Sequence, residues 1–424
     1  MKAVAWLALC CVAAVQAKVY FEEKFDDKWA DRWQSSDWKR DKGEAGDWQH
    51  TAGEWYGDAE ADKGIQTSPD HRFHTIWAEM PEEVDNTGKD LVVQFSVKHA
   101  QKMDCGGGYI KLIPTSSKDQ MKTFGGETRY AIMFGPDICG FSTQKVHAIL
   151  TDNKGRNLET KKATTCKTDE LTHVYTLHLM PNNTYRILID NEEAAKGALH
   201  EDWDFEAPKQ IKDPEAKKPE DWDDRIMIED PEDKKPEGYD DIPATIVDAE
   251  AKRPEDWDDE EDGVWEAPQL PNPDFKGPWS PNKITNPAYK GAWEAPMIDN
   301  PEYEHIPNVY KLPLLKFVGF ELWQVKSGTI FDNVLVTDDA HYAEAFANAT
   351  WGASKEKEME MFNAIAKKKA DEAEAKRKEE EAAREAAKGE EKDEDGDSLP
   401  QDFEALSRSV ISDEEEEDEA HAEL

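Results

Sequence analysis

Leu91-Val-Val-Gln-Phe-Ser-Val97 is the stretch on which the fold turns. Leu91, Val93, Phe95 and Val97 alternate with Val92, Gln94 and Ser96, a period of two that sends one apolar row to one side of an extended strand. Tyr185, Ile187 and Ile189 alternate with Arg186, Leu188 and Asp190 in the same way. From Val19 to about Asp204 such runs are short and separated by Gly, Asn and Asp, which predicts a mostly β chain folded as an antiparallel sandwich. The pattern returns at Phe317 to Val336 after a long interruption. The last strands of the sandwich are therefore expected from beyond an insertion that leaves and re-enters at nearby points.

The interruption, residues 205–304, holds 15 of the 23 prolines and repeats internally. One unit, Ile-Lys-Asp-Pro-Glu-Ala-Lys-Lys-Pro-Glu-Asp-Trp at Ile211 to Trp222, recurs degenerately at Ile228 to Tyr239 and Ile246 to Trp257. A second, Gly-x-Trp followed by Asn-Pro-x-aromatic-Lys/Glu, occupies 263–276, 277–290 and 291–304. Three copies of one unit followed by three of another predict a hairpin arm with one set running out and the other running back. So much proline excludes helix and interior sheet, leaving extended backbone. One Trp or Tyr per repeat reads most simply as a small core between the legs. From about Ala340 the pattern turns helical, with Tyr342, Phe346, Met359, Met361, Phe362 and Ile365 set among Ala, Glu and Lys and no Pro before Pro400. The boundaries expected are 1–17, 18–204 with 305–339 for the sandwich, 205–304 for the arm, and 340–424 for a helix and acidic tail.

Charge narrows the function. The 424 residues carry 93 acids against 52 Lys and Arg, net −41, which disfavours nucleic acid and anionic lipid and favours cations or basic proteins. The arm has 29 acids against 12 bases, and residues 355–424 have 26 against 12, so most of the excess lies outside the sandwich. Fifteen Trp, 15 Phe and 11 Tyr argue against a chain disordered throughout. Lys2, the apolar run Ala3 to Val15 and Val-Gln-Ala before Lys18 read as a secretory signal, and no second run is long enough to span a membrane. The final His-Ala-Glu-Leu has the form of a retention tetrapeptide, so the endoplasmic reticulum lumen is expected, with partial secretion. Cys10 and Cys11 leave with the signal; Cys105, Cys139 and Cys166 allow one pair and one thiol, in three possible pairings.

Enzyme signatures are missing: the chain has no HExxH, GxSxG, GxGxxG, Walker loop or CxxC, and the reading is not an enzyme. Two EF-hand-like starts fail at position twelve, where Gln269 and Asp402 stand. The informative patch joins Cys105-Gly-Gly-Gly-Tyr109-Ile-Lys111, Tyr130 to Cys139 and Phe317 to Val325. Parity places Tyr109 and Lys111 on one face, and Glu321 with Trp323 on one face. An aromatic, an amine and a carboxylate together suit a sugar, whose C–H faces stack on rings and whose vicinal hydroxyls take directional bonds. Scattered aromatics on a sandwich surface are the plainer alternative. Met133 has the opposite parity from Tyr130, and joins the patch only if a bulge or loop turns it.

Four long motifs carry a resemblance: Lys98-His-x-Gln-x-x-Asp-Cys-Gly-Gly-Gly-Tyr109, Met133-Phe-Gly-Pro-Asp-Ile-Cys-Gly140, the Lys-Pro-Glu-Asp-Trp repeats, and Leu322-Trp-Gln-Val-Lys-Ser-Gly-Thr-Ile-Phe-Asp-Asn333. In order and over nearly the whole chain, the sequence resembles the calreticulin/calnexin family. The resemblance implies a concanavalin-like jelly-roll lectin that binds monoglucosylated glycans on new glycoproteins. It also implies an arm that recruits a thiol-disulfide oxidoreductase, a tail that stores calcium, and a monomer. Carried over, the sugar site falls on Tyr109, Lys111, Tyr130, Asp137 and Glu321, with Met133, Ile149 and Trp323 around it; the disulfide on Cys105 and Cys139, leaving Cys166 free. A structural calcium site falls on Asp332 with the carbonyls of Lys24, Ala61 and Lys63, and the partner-binding tip on Glu260, Asp262 and Trp265. Glu321 stands where the family has Asp, Val264 where it has Glu, and the diluted tail ends in His-Ala-Glu-Leu in place of Lys-Asp-Glu-Leu. An acidic calcium buffer or secreted interaction protein with a weakened sugar site is the alternative.

Overall fold

The structure is a computed structural model, and it describes residues 17–254, 257 and 263–390, with side chains through 384. Residues 1–16 of the signal segment, Glu260, Asp262 and the tail after 390 lie outside the described residues.

The alternating stretch becomes the strand Leu91–His99 at the centre of the first of two antiparallel sheets. Its neighbours are Thr172–Leu179 on one side and Thr329–Thr337 on the other; the sheet continues outward to Thr184–Ile189 and Glu192–Ala198, and to Gly64–Ser68 and Asp47–Thr51. The second sheet runs from Asn157–Glu159 through Thr143–Thr151, Ile132–Cys139 and Ile110–Pro114 to Leu315–Gln324, Arg72–Val84 and Trp33–Ser35. The chain that returns after the insertion thus supplies a central strand to each sheet. Phe95, Phe331, Phe320 and Phe134 meet between the sheets as part of one continuous core. Burying such rings, at roughly 25 cal/mol per Å² of apolar surface, is the main force holding the sheets together.

Residues 206–305 form a separate compact unit. Its legs are antiparallel and joined by three short nested ladders: Gln210–Lys212 with Met297–Asp299, Met227–Glu229 with Lys283–Thr285, and Thr245–Val247 with Gln269–Pro271. The repeats explain the ladders. Asn272, Asn286 and Asn300 each give their backbone N–H to a carbonyl of the opposite leg (Ala244, Ile226 and Lys209) and their side-chain amide to the carbonyl before it. Gly263, Gly277 and Gly291 all lie at φ of +78° to +85°, where a side chain would be strained. Trp222 donates across the legs to Gly291 O at 2.9 Å.

The helices Ala340–Ala349 and Trp351–Glu390 follow the last strand, the first capped by Asp339 Oδ1, which accepts from the N–H groups of His341 and Tyr342. They cover the outer face of the first sheet. Trp351 donates to Thr172 O, Glu358 accepts from Thr172 N–H and Oγ1, and Trp55 meets Phe362 edge-on at 5.0 Å. Among the described residues no helix is long and apolar enough to cross a membrane.

Candidate functional site

The outer face of the second sheet is built by register. Gly319 pairs with both Trp77 and Lys111, Lys111 with Met133, and Met133 with Ile149, so these side-chain positions share one row and one face. Lys111 is 4 % exposed, between core residues Ile110 and Leu112 that point the other way. Its Nζ donates to Glu321 Oε2 at 2.5 Å and sits 4.8 Å from the centre of the Tyr130 ring. Glu321 is 8 % exposed, and among the described residues its Oε1 has no protein donor. Two of the three ammonium protons likewise have no protein acceptor. A charged pair held in place with bonding capacity to spare can take a polyhydroxylated ligand.

Aromatic rings frame the pair. Tyr109 lies over Gly107, where a Cβ would fall 2.3 Å from its ring, so glycine is what lets the ring lie flat there. Burial, with Glu321 and Asp137 nearby, pushes the Tyr109 phenol well above its ordinary range, and Tyr130 shifts the same way from burial and Glu321. Both rings stay neutral donors at any physiological pH. Trp323 is 39 % exposed beside Phe73, centroids 4.7 Å apart. Asp137 pairs with Lys145 across strands and accepts from His147 Nε2 at 3.2 Å.

The parity problem of Met133 resolves simply. Tyr130 lies outside the strand Ile132–Cys139, at the end of the irregular segment that leads into it, so it does not obey strand alternation. Met133 is on the strand and faces the site directly. Sequence reasoning missed His147 and Phe73. Counting back by two from Ile149 puts His147 and Lys145 on the same face, a signal present in the sequence. Cys105 and Cys139 are directly paired residues joined by a disulfide, and Cys166 is a buried thiol whose pKa burial pushes up to about 11.

Asp332 lies on the outer face of the first sheet, beneath the C-terminal helix. Its carboxylate is 6 % exposed and accepts from Asn333 N–H and Nδ2; among the described residues no basic side chain pairs with it. Burial raises its pKa well above the carboxylate range, with Asp62 and Glu23 adding to the effect and Lys24 opposing it. A cavity of ≈ 30 Å³ adjoins it, lined also by Asp62, Lys98, Ser354 and Glu358. Asp62 stands between Ala61 and Lys63; its Oδ2 accepts from Gly57 and Asp58 N–H and its Oδ1 from Ser354 Oγ. A buried anion without a protein counter-charge, in oxygen-rich surroundings, fits a hard divalent cation. At the arm, Trp265 is half-buried and Val264 is 83 % exposed.

These features define a class: a jelly-roll β-sandwich interrupted by a proline-rich hairpin arm, with one outer face roofed by helix and the other covered only in part, where Met121 and Phe124 of the segment 115–124 pack on Trp77, Ile113 and Phe317. The family model described as calreticulin matches residues 21–264 and 242–336. Calreticulin of Chlamydomonas reinhardtii is 65 % identical over 364 residues, covering 86 % of this chain and 86 % of the relative, and calreticulin of Dictyostelium discoideum is 52 % identical over 355 residues, covering 84 % and 82 %. The globular domain of T. cruzi calreticulin superposes with a TM-score of 0.58 at 30 % identity, covering 82 % of this chain and 99 % of that one. The chain belongs to the calreticulin family, a family of lectin chaperones and not of enzymes.

Proposed function

We propose that this protein is a calcium-binding lectin chaperone of the endoplasmic reticulum, which binds monoglucosylated N-glycans on folding glycoproteins and stores calcium. The observation that carries the reading is the Lys111–Glu321 pair, buried yet unsaturated, framed by Tyr109, Tyr130 and Trp323 on a sheet face that residues 115–124 cover only in part. Lys111 donates to, and Glu321 accepts from, neighbouring hydroxyls of the terminal glucose. Met133 and Ile149 supply apolar contact to its C–H groups, and Asp137 accepts from a further hydroxyl. Asp332 with the carbonyls of Lys24, Ala61 and Lys63 holds one calcium ion tightly, and the acidic tail holds many weakly. The arm tip around Glu260, Asp262 and Trp265 receives a thiol-disulfide oxidoreductase, and the protein acts as a monomer.

Glycan-array binding of the mature chain tests the reading. Selective retention of glucosylated high-mannose glycans over their unglucosylated counterparts supports it. Binding to neither, with calcium capacity intact by equilibrium dialysis, leaves an acidic calcium buffer in its place.

A further inference from the structure

His147 is held between two carboxylates. It sits opposite Gly135, on the row next to Met133 and Ile149, with its side chain 14 % exposed. Nε2 faces Asp137 Oδ2 at 3.2 Å and Nδ1 faces Glu159 Oε1 at 2.8 Å. Its ring stands edge-on to Tyr109, 5.9 Å between centroids at 83°. The charged groups around it are Asp137 from the strand Ile132–Cys139, Glu159 from Asn157–Glu159, and Lys145 on its own strand, which neutralises Glu159 at 2.8 Å. Tyr109 contributes a neutral ring.

Only the imidazolium can donate at both nitrogens. A neutral ring must turn a lone pair toward one carboxylate, and the longer contact, to Asp137, is the one to give way. We propose that His147 is a positioning residue of the sugar site: its cation fixes the Asp137 carboxylate and the Tyr109 ring in the orientation the glycan needs, so that glycan affinity is linked to a proton. This rests on the lectin reading given above. Burial works against the charged ring, but the bonds to Asp137 and Glu159 outweigh it and raise the pKa above the ordinary 6.5. The sign follows. The fixed arrangement is present in full on the acid side of that raised pKa and is lost as pH rises through it.

The test is calorimetry of a glucosylated trimannoside with the calcium-loaded mature chain at pH values from about 6 to about 9, across the range in which histidine changes charge. Wild type should lose about three- to ten-fold in affinity toward the alkaline end, the worth of one charge-assisted contact. His147→Gln, which keeps one donor and cannot titrate, should bind about three-fold more weakly near pH 6 and show a flat profile. His147→Phe, which keeps a ring against Tyr109 and loses both donors, should be weaker still at every pH. If the variants fold poorly, the NMR titration of His147 in wild type decides, because linkage requires bound glycan to raise its pKa. A flat or rising wild-type profile, or a pKa that glycan leaves unmoved, overturns the proposal while leaving the lectin reading standing. Absence of binding by wild type at every pH overturns both.

Discussion

Lys98 and Lys111 are each buried on the outer face of their own sheet, and each is paired with a glutamate. Lys98 meets Glu358 at 3.0 Å and also donates to Ala52 O and Trp55 O, while Glu358 accepts twice from Thr172. That pair is saturated, and it clamps the C-terminal helix to the first sheet. Among the described residues, Lys111 and Glu321 meet each other and leave an oxygen and two protons without protein partners. The same two side-chain types, equally buried, are structural where the surrounding backbone completes their bonds and fit for binding where it does not. Burial or charge alone would not tell the two faces apart; the completeness of the hydrogen bonds does.

The largest effect that would test this contrast is on stability. Lys98→Met leaves Glu358 buried without its cation and should cost about 3–5 kcal/mol in urea unfolding, most of it recovered in Lys98→Met with Glu358→Leu. No recovery in the double variant would mean that the pair is not what clamps the helix. Next comes Lys111→Ala, which should weaken a glucosylated glycan at least about ten-fold, the worth of a lost charged hydrogen bond. It should lower stability less than Lys98→Met, because Glu321 lies on a face that water can reach.

With calcium, the wild-type unfolding midpoint should rise by about 3–6 °C over that in chelator. Asp332→Asn should lose this calcium-dependent rise and be more stable than wild type in chelator, since it removes a buried anion. Equal calcium responses in the two proteins would take the tight ion away from Asp332. The smallest effect is Glu321→Asp. Shortening the side chain loosens its grip on Lys111 and frees both groups for hydroxyls, so affinity should rise about three-fold. A loss in its place would mean that the direct pair is part of the bound state.

Much of this was legible in the sequence, for identifiable reasons. Alternation in Leu91–His99 survives in the structure because one side of that strand faces the core and the other the helix, leaving a strict period of two. Parity also located Tyr109, Lys111, Glu321 and Trp323 on common faces, since they lie on or next to regular strands. It failed at Tyr130, which lies before its strand, because the irregular backbone there does not alternate. The clamp from Glu358 to Lys98 was not legible: it joins residues 260 positions apart through a helix whose charged residues look solvent-facing by composition. His147 is within reach of parity, two residues before Ile149 on the same strand, but only the paired strands bring Asp137 and Glu159 to its ring. In the arm, the Asn-Pro repeats were visible, but their purpose, gripping two consecutive carbonyls of the opposite leg, needed the paired legs to be seen.

We propose that the unsaturated Lys111–Glu321 pair binds glucose at the end of a mannose glycan. It is tested most directly by calorimetry of a glucosylated trimannoside, beside the same oligosaccharide without glucose, on calcium-loaded wild type and Lys111→Ala. One glucose-dependent site in wild type, lost in Lys111→Ala at an unchanged calcium-dependent unfolding midpoint, is the result predicted. Wild type that binds both oligosaccharides equally, or neither, would contradict it.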